Sequence, residues 1–219
     1  MKIVKSFRKS MSMSFDKDGV LIVKAPFFVT QKTILDFVEK NKSWIEKTKT
    51  KISLKNLSFD FGESYYLFGE SYKLLSDSMS EKIIFDGTNF YLNIKYKNKI
   101  KEKLLEFYKL KAQDYIKNRA RELSILNNLE FSQVKITSAK TRWGSCTSKK
   151  NINFSFRLIM SPKQTIDYVI IHELSHLLEM NHSPKFWKNV DIFFQKLGHG
   201  NYKHHQNWLK INGNKLMYV

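Results

Sequence analysis

Apolar residues recur along this chain with two different periods, and the change between them organises the reading. In the first 24 residues the runs are short and β-leaning. Lys2–Phe7, Ser12–Phe15 and Val20–Lys24 read as strands, with Asp16-Lys17-Asp18-Gly19 as a hairpin turn and Ala25-Pro26 ending the third. Thr30 then stands as the N-cap of a helix whose Ile34, Phe37, Val38, Asn41, Trp44 and Ile45 share a face. The lysine-rich run Lys47 to Lys55 reads as a solvated helix end and loop. Phe61-Gly62-Glu63-Ser64-Tyr65 recurs as Phe68-Gly69-Glu70-Ser71-Tyr72, which marks turns bounding short strands rather than a solenoid. Lys82–Phe85 and Phe90–Ile94 flank a further hairpin signal at Asp86-Gly87-Thr88.

From Asn98 to Asn127 the period becomes helical, with Leu104, Tyr108, Tyr115, Ile116, Ala120 and Leu123 recurring opposite lysines. Val134–Thr137 and Asn151–Ile159 read as strands. Ser161-Pro162-Lys163-Gln164 offers a capping serine, a first-turn proline and a capping-box glutamine. The helix it opens carries Ile166, Val169, Ile170, Leu174 and Leu177 as an apolar stripe. Pro184–Leu197 is one more amphipathic helix, closing at Gly198, and Lys203–Ile211 a final short one. The expected class is α+β, with a mostly β N-terminal region carrying one helix (residues 1–95) and a helix-rich C-terminal domain (residues 96–219).

That C-terminal helix carries the chemistry. His172 and His176 stand four apart with Glu173 beside the first. Residues four apart share one helix face, so both imidazoles can bind one zinc ion while the glutamate activates zinc-bound water. A catalytic zinc takes three protein ligands and keeps one position open. His182 is the candidate third ligand. On a continuous helix it would lie about 240° around from His176, so the helix must break between them. Asn181 can take the left-handed conformation at a helix end, and Ser183-Pro184 reads as the cap and first residue of the next helix. Asp191, His199, His204 and His205 are the outside candidates for this third position.

Composition adds less. The chain of 219 residues has ample apolar content for a packed core. Its single cysteine, Cys146, excludes an intrachain disulfide and fits a reducing compartment. The basic N-terminus is followed by no apolar block, so no secretory signal or membrane span is expected, and the expected location is cytoplasmic. The net charge of +18 is compatible with a nucleic-acid partner, but equally with the Lys-, Asn- and Ile-rich composition of an AT-biased lineage. The lysines are dispersed rather than gathered in one block.

Taken together, Arg142-Trp143-Gly144-Ser145-Cys146, Asn153, Arg157-Leu158, Asp167-Tyr168-Val169, His172-Glu173-Leu174-Ser175-His176 and Asn181-His182-Ser183 with Phe186-Trp187 resemble the YgjP-like metallopeptidase family. Its core is similar to those of the SprT-like and WLM zinc peptidases. Looser matches extend to the Asp18-Gly19 turn, Ala25-Pro26, Trp44-Ile45 and Leu67-Phe68-Gly69-Glu70. The resemblance implies a zincin-like α+β peptidase core with one Zn2+ held by His172, His176 and His182, Glu173 as general base, and a protein or peptide substrate. The chain departs from the family at Gly198-His199-Gly200-Asn201, where a proline-containing stretch is usual. Gly144 permits close backbone approach, and its neighbours are expected to form an edge strand that pairs with an extended substrate. Arg142 is a candidate oxyanion or substrate-carboxylate partner, with a structural ion pair as the alternative. Cys146 as a fourth ligand would make the site closed and structural. Two other functions remain open at this point: hydrolysis of a nucleotide or other phosphoanhydride, and a nucleic-acid-associated role for the basic surface.

Overall fold

The computed structural model describes residues 1–16, 19–55 and 58–217, so Lys17-Asp18, the centre of the first expected hairpin, lies outside the described residues. Packing divides the chain into two compact units, Met1–Ser58 and Phe59–Val219. The division expected at residue 95 is not where packing divides the chain. Tyr65, Leu67, Leu74, Phe90 and Leu92 share one core with Ile100, Leu104 and Tyr108, so the second group of strands belongs with the helices that follow it.

In the first unit, β1 (Lys2–Ser6), β2 (Ser12–Phe15) and β3 (Leu21–Pro26) form a sheet in the order β1-β3-β2. β3 runs parallel to β1 and antiparallel to β2. Ile34 of α1 (Gln31–Lys40) is buried with Val23 and Ala25. Thr30 caps α1 by accepting the Thr33 N–H at 3.2 Å. The single helix expected through Ile45 is interrupted at Asn41, which has φ −106° and ψ 15° and donates from Nδ2 to the Phe37 carbonyl at 2.8 Å. A second helix, α2 (Lys42–Lys55), runs on where a loop was expected. The solvation expected of most lysines in that run lies outside the described residues.

In the second unit, β4 (Ser64–Leu67), β5 (Glu70–Asp77), β6 (Ile84–Phe85) and β7 (Phe90–Asn93) form a sheet in the order β4-β5-β7-β6. The repeated Phe-Gly pairs are indeed turns, with φ +84° at Gly62 and +89° at Gly69. Gly69 has a second constraint, because a Cβ there would lie 2.7 Å from Pro162 Cγ. A 3-10 segment, Ile94–Lys99, leads into α3 (Ile100–Leu126), whose Leu104, Tyr108, Ala112, Ile116 and Ala120 are buried.

The third sheet holds β8 (Gln133–Thr137), β9 (Gly144–Cys146) and β10 (Asn151–Ser155) in the order β8-β10-β9. The strand expected to reach Ile159 ends at Ser155, and Phe156–Met160 instead forms a buried 3-10 turn. Three helices follow: α4 (Lys163–Ser175), α5 (Pro184–Gln195) and α6 (Tyr202–Met217), the last longer than expected. α4 packs against α3, β9, α5 and α6. Its burial is therefore nearly complete around the circumference rather than confined to a stripe. Ser161 does not cap it. The N-cap is Pro162, and the buried Ser161 hydroxyl has no hydrogen-bond partner among the described residues.

Candidate metal centre

α4 delivers two imidazoles from its last turn, and its ending delivers the third. The helix stops at Ser175, and His176 is its C-cap (φ −67°, ψ −16°). Leu177 and Leu178 donate to the carbonyls three residues back, Leu174 and Ser175, at 3.0 and 3.1 Å, which tightens the final turn. The break therefore comes earlier than Asn181, which is not among the residues with positive φ. A tight turn then forms around His182, with the Ser183 N–H donating to the Asn181 carbonyl at 2.8 Å. Ser183 caps α5 through its hydroxyl, which accepts the Phe186 N–H at 3.2 Å, with Pro184 first in the helix.

This path brings the three histidines together. One ligand nitrogen from each of His172, His176 and His182 lies within 4.8 Å of the others, the grouping of this kind found among the described residues. The Nε2 atoms of His172 and His182 are 3.1 Å apart. A tetrahedral zinc with Zn–N of about 2.0–2.1 Å would set ligand nitrogens about 3.3 Å apart, so the donor set fits such an ion. The Nδ1–H of His176 donates to the Glu179 carbonyl at 3.1 Å, which leaves its Nε2 lone pair free to coordinate. Burial, with help from the two neighbouring imidazoles, lowers the His172 pKa to about 3 and keeps this ring in the neutral form that binds metals. Stacking braces the exposed member. His182 lies against Trp187 at 5.7 Å and 28°, and Trp187 against Tyr202 at 5.7 Å and 9°.

Glu173 is not one of the grouped ligands, as its position on the helix requires, but it lines one cleft with His172. Its side chain is buried, and burial raises its pKa to about 8 against the opposing charge of Arg142. It lies directly over β9, where a Cβ on Gly144 would stand 2.6 Å from its Cγ and Oε1. β9 is antiparallel to β10 and is one of the two edge strands of its sheet. Beside this edge a cleft of about 320 Å³ is lined by Trp143, Gly144, Tyr168, His172 and Glu173, and closed from α6 by Gln206, Leu209 and Lys210.

Other sequence candidates are placed apart. Arg142 is exposed and lines a different cleft with Thr137, Ser145 and Asn153, so it reaches Glu173 through its charge only. Cys146 does not join the histidine group. His199 donates to Asp167, His205 pairs with Thr165, and Asp191 accepts from Gln195. From the sequence Tyr168 has no assigned role, and nothing points to the α6 wall of the cleft. Tyr168 had a local signal, since it lies one turn before His172 on the same face. Gln206, Leu209 and Lys210 had none, because only the packing of α6 brings them there.

One solved structure that the chain resembles is the crystal structure of the metallopeptidase zymogen of Pyrococcus abyssi abylysin, at 19% identity over 44% of this chain and 93% of that one, with a TM-score of 0.39. No curated protein matches the sequence. A model of the YgjP-like metallopeptidase domain matches residues 9–212, a span that takes in the helix with His172, Glu173 and His176, the turn with His182 and the Gly144 strand. The chain therefore belongs to the YgjP-like metallopeptidase family, and its activity is that of a metal-dependent peptidase.

Proposed function

We propose that this protein is a zinc peptidase with a zincin-like core, in which His172, His176 and His182 hold the metal and Glu173 handles the proton. The observation that carries this reading is the convergence of three imidazoles beside a buried carboxylate that rests on an edge strand. Zinc supplies Lewis-acid polarisation and lowers the pKa of water to about 7. Everything else falls to the chain. His172 and His176 are fixed by the last turn of α4, and His182 by its stack on Trp187. Glu173 takes the proton of the attacking water on its carboxylate and passes it to the leaving amine. The unpaired edge of β9 accepts an extended peptide backbone by β-augmentation, which places a carbonyl beside Glu173. The cleft walls Trp143, Tyr168 and Leu209 receive an adjoining side chain.

The test measures metal content and hydrolysis of unfolded protein, peptides and nucleotides for the wild type, Glu173→Gln and His182→Ala. Glu173→Gln should keep its metal and lose at least about 100-fold in peptide hydrolysis, the scale of one acid–base group. His182→Ala should lose metal. Hydrolysis of nucleotides but not peptides, or release of metal by Glu173→Gln, would overturn the reading.

A further inference from the structure

None of the groups at the candidate metal centre belongs to the Met1–Ser58 unit. The register of its sheet separates two faces. Val23 and Ala25 are buried with Ile34 of α1, with Ile3 and Met13 packed against them. The alternate residues turn the other way, where Lys2 pairs with Ile22, and Val4 and Ser12 both pair with Lys24. On this second face Lys2, Ser14 and Lys24 are exposed.

Where β1 and β3 run out, three aromatic rings stand in solvent. Phe7, Phe27 and Phe28 are 100%, 54% and 79% exposed, and Phe7 meets Phe27 edge-on at 5.0 Å. The backbone that presents them is fixed. Lys5 Nζ donates to the carbonyls of Phe27 at 3.3 Å and Val29 at 2.8 Å, and the Val29 N–H donates to the Pro26 carbonyl at 3.2 Å.

The two segments that carry these rings, β1 through β2 and β3 through the first turn of α1, hold charge of one sign. Residues 1–15 and 19–35 hold six Lys and Arg and no Asp or Glu. Asp16 sits at the other end of β3, where its carboxylate accepts the Val20 N–H at 2.9 Å. Lysines elsewhere do find carboxylates, as in Lys42–Glu39, Lys95–Glu81 and Lys97–Asp60. Among the described residues Lys2, Lys9 and Lys24 have no such ion pair.

A face of unopposed cations that ends in exposed rings fits a ligand with a charged backbone and flat apolar groups. Single-stranded nucleic acid has both: phosphates for the lysines and free base faces for the phenylalanines. A duplex hides its base faces. An anionic bilayer is the rival, since it also takes aromatic rings and cations. A bilayer that took the rings would meet the strands end-on. Lys2, five residues before Phe7, would then lie about 16 Å back along β1. A strand of nucleic acid lying along the face uses both ends of it. We propose that the open face of this sheet, with Phe7, Phe27 and Phe28 at its end, is a binding surface for single-stranded nucleic acid.

The test uses the full chain at about 150 mM salt, with labelled mixed-sequence DNA and RNA single strands of about 16 nucleotides, the matching duplex, and phosphatidylserine-containing vesicles. The expected result is micromolar or tighter binding of the single strands. Phe7→Ser with Phe28→Ser, both at exposed positions, should leave the melting temperature unchanged and weaken binding about five- to one-hundred-fold. Lys2→Gln with Lys24→Gln should reduce the slope of log K against log salt by about 1.4, that is, about 0.7 for each phosphate that a lysine no longer neutralises. The proposal is overturned by absence of binding at this salt, by equal binding of the double phenylalanine variant, by tighter binding of the duplex, or by capture on vesicles without capture of the oligonucleotides.

Discussion

The side chain of Glu173 lies so close over Gly144 that a Cβ on the glycine would stand 2.6 Å from both its Cγ and its Oε1. Gly144 has no positive φ, so the position demands glycine for space rather than for backbone freedom. The contact includes Cγ and Cδ as well as a terminal oxygen, so a rotation of the carboxylate alone does not relieve it. Gly144→Ala should therefore move the Glu173 carboxyl and lower peptide hydrolysis by about 100-fold, the cost of roughly 1 Å of misplacement. Metal content should stay at the wild-type value, because the three imidazoles are untouched. Steady-state kinetics and metal analysis on the same preparation check this, and undiminished activity would mean that β9 does not position the glutamate.

The stack behind His182 makes a second prediction. Trp187→Leu removes the ring at 5.7 Å that braces the exposed imidazole. Zinc affinity, read by competition with a chromogenic chelator, should fall about 10- to 100-fold, as for other outer-shell partners. The variant combining Trp187→Leu with His182→Ala should bind no more weakly than His182→Ala alone, because the brace acts through that ring. Additive losses would mean that Trp187 acts through its other imidazole contact, His172 at 5.7 Å, or through folding, rather than through His182.

Metal removal should also change stability. An ion that binds only the folded chain stabilises it by about 2.7 kcal/mol at a free concentration 100 times its Kd. The wild-type melting temperature should thus fall on chelation and recover on adding zinc. That of His182→Ala should respond much less.

The grouping of the three histidines was legible in the sequence because its determinants are local. Helical periodicity fixes His172 and His176 on one face, and Ser183-Pro184 announces a new helix just after His182. Where local signals misled, packing had replaced them. Asn181 looked like the helix terminator, yet the turn comes at His176, since the i−3 bonds of Leu177 and Leu178 had already closed the helix. Ser161 looked like a cap, but its hydroxyl is buried beside Pro162, which the Gly69 turn approaches. The strand expected to reach Ile159 had the right β-branched and aromatic residues. They are buried in a 3-10 turn instead, and Arg157 within it donates to the Ser138 carbonyl at 3.2 Å. The domain boundary and the α6 wall of the cleft depend on contacts between distant segments, which no periodicity records.

Cys146 gives a prediction in pH. Burial, aided by the nearby negative charge of Glu173, raises its thiol to about 11. A raised thiol pKa means that the reactive thiolate is scarce below it, at roughly one part in three thousand at pH 7.5. Alkylation by iodoacetamide should be slow at neutral pH and accelerate about tenfold per pH unit up to about pH 10. Above about pH 8, where Glu173 is ionised, Glu173→Gln removes a negative charge beside the thiol and should speed it. A thiol that reacts fully within minutes at pH 7 would contradict this.

Arg119 and Asp167 tie α4, the helix of His172 and Glu173, to α3. Asp167 is 4% exposed and accepts from Arg119 Nε and Nη2, each at 2.8 Å, and from His199 Nε2 at 3.0 Å. Arg119 is 27% exposed and donates its remaining nitrogen to Glu122 at 2.8 Å. The two partners are thus unequal: one is enclosed, the other half open to water and doubly paired. Arg119→Met leaves a buried carboxylate with the histidine alone and should cost about 3–5 kcal/mol, the usual range when a buried pair loses one member. Asp167→Asn keeps a hydrogen-bond acceptor and leaves a cation that water and Glu122 can still solvate, so its cost should be smaller, about 1–3 kcal/mol. Urea denaturation of both variants, compared at equal m-values, checks the order. If Asp167→Asn proves the more damaging of the two, the burial of the carboxylate is not what sets the cost, and the asymmetry argued from exposure is wrong.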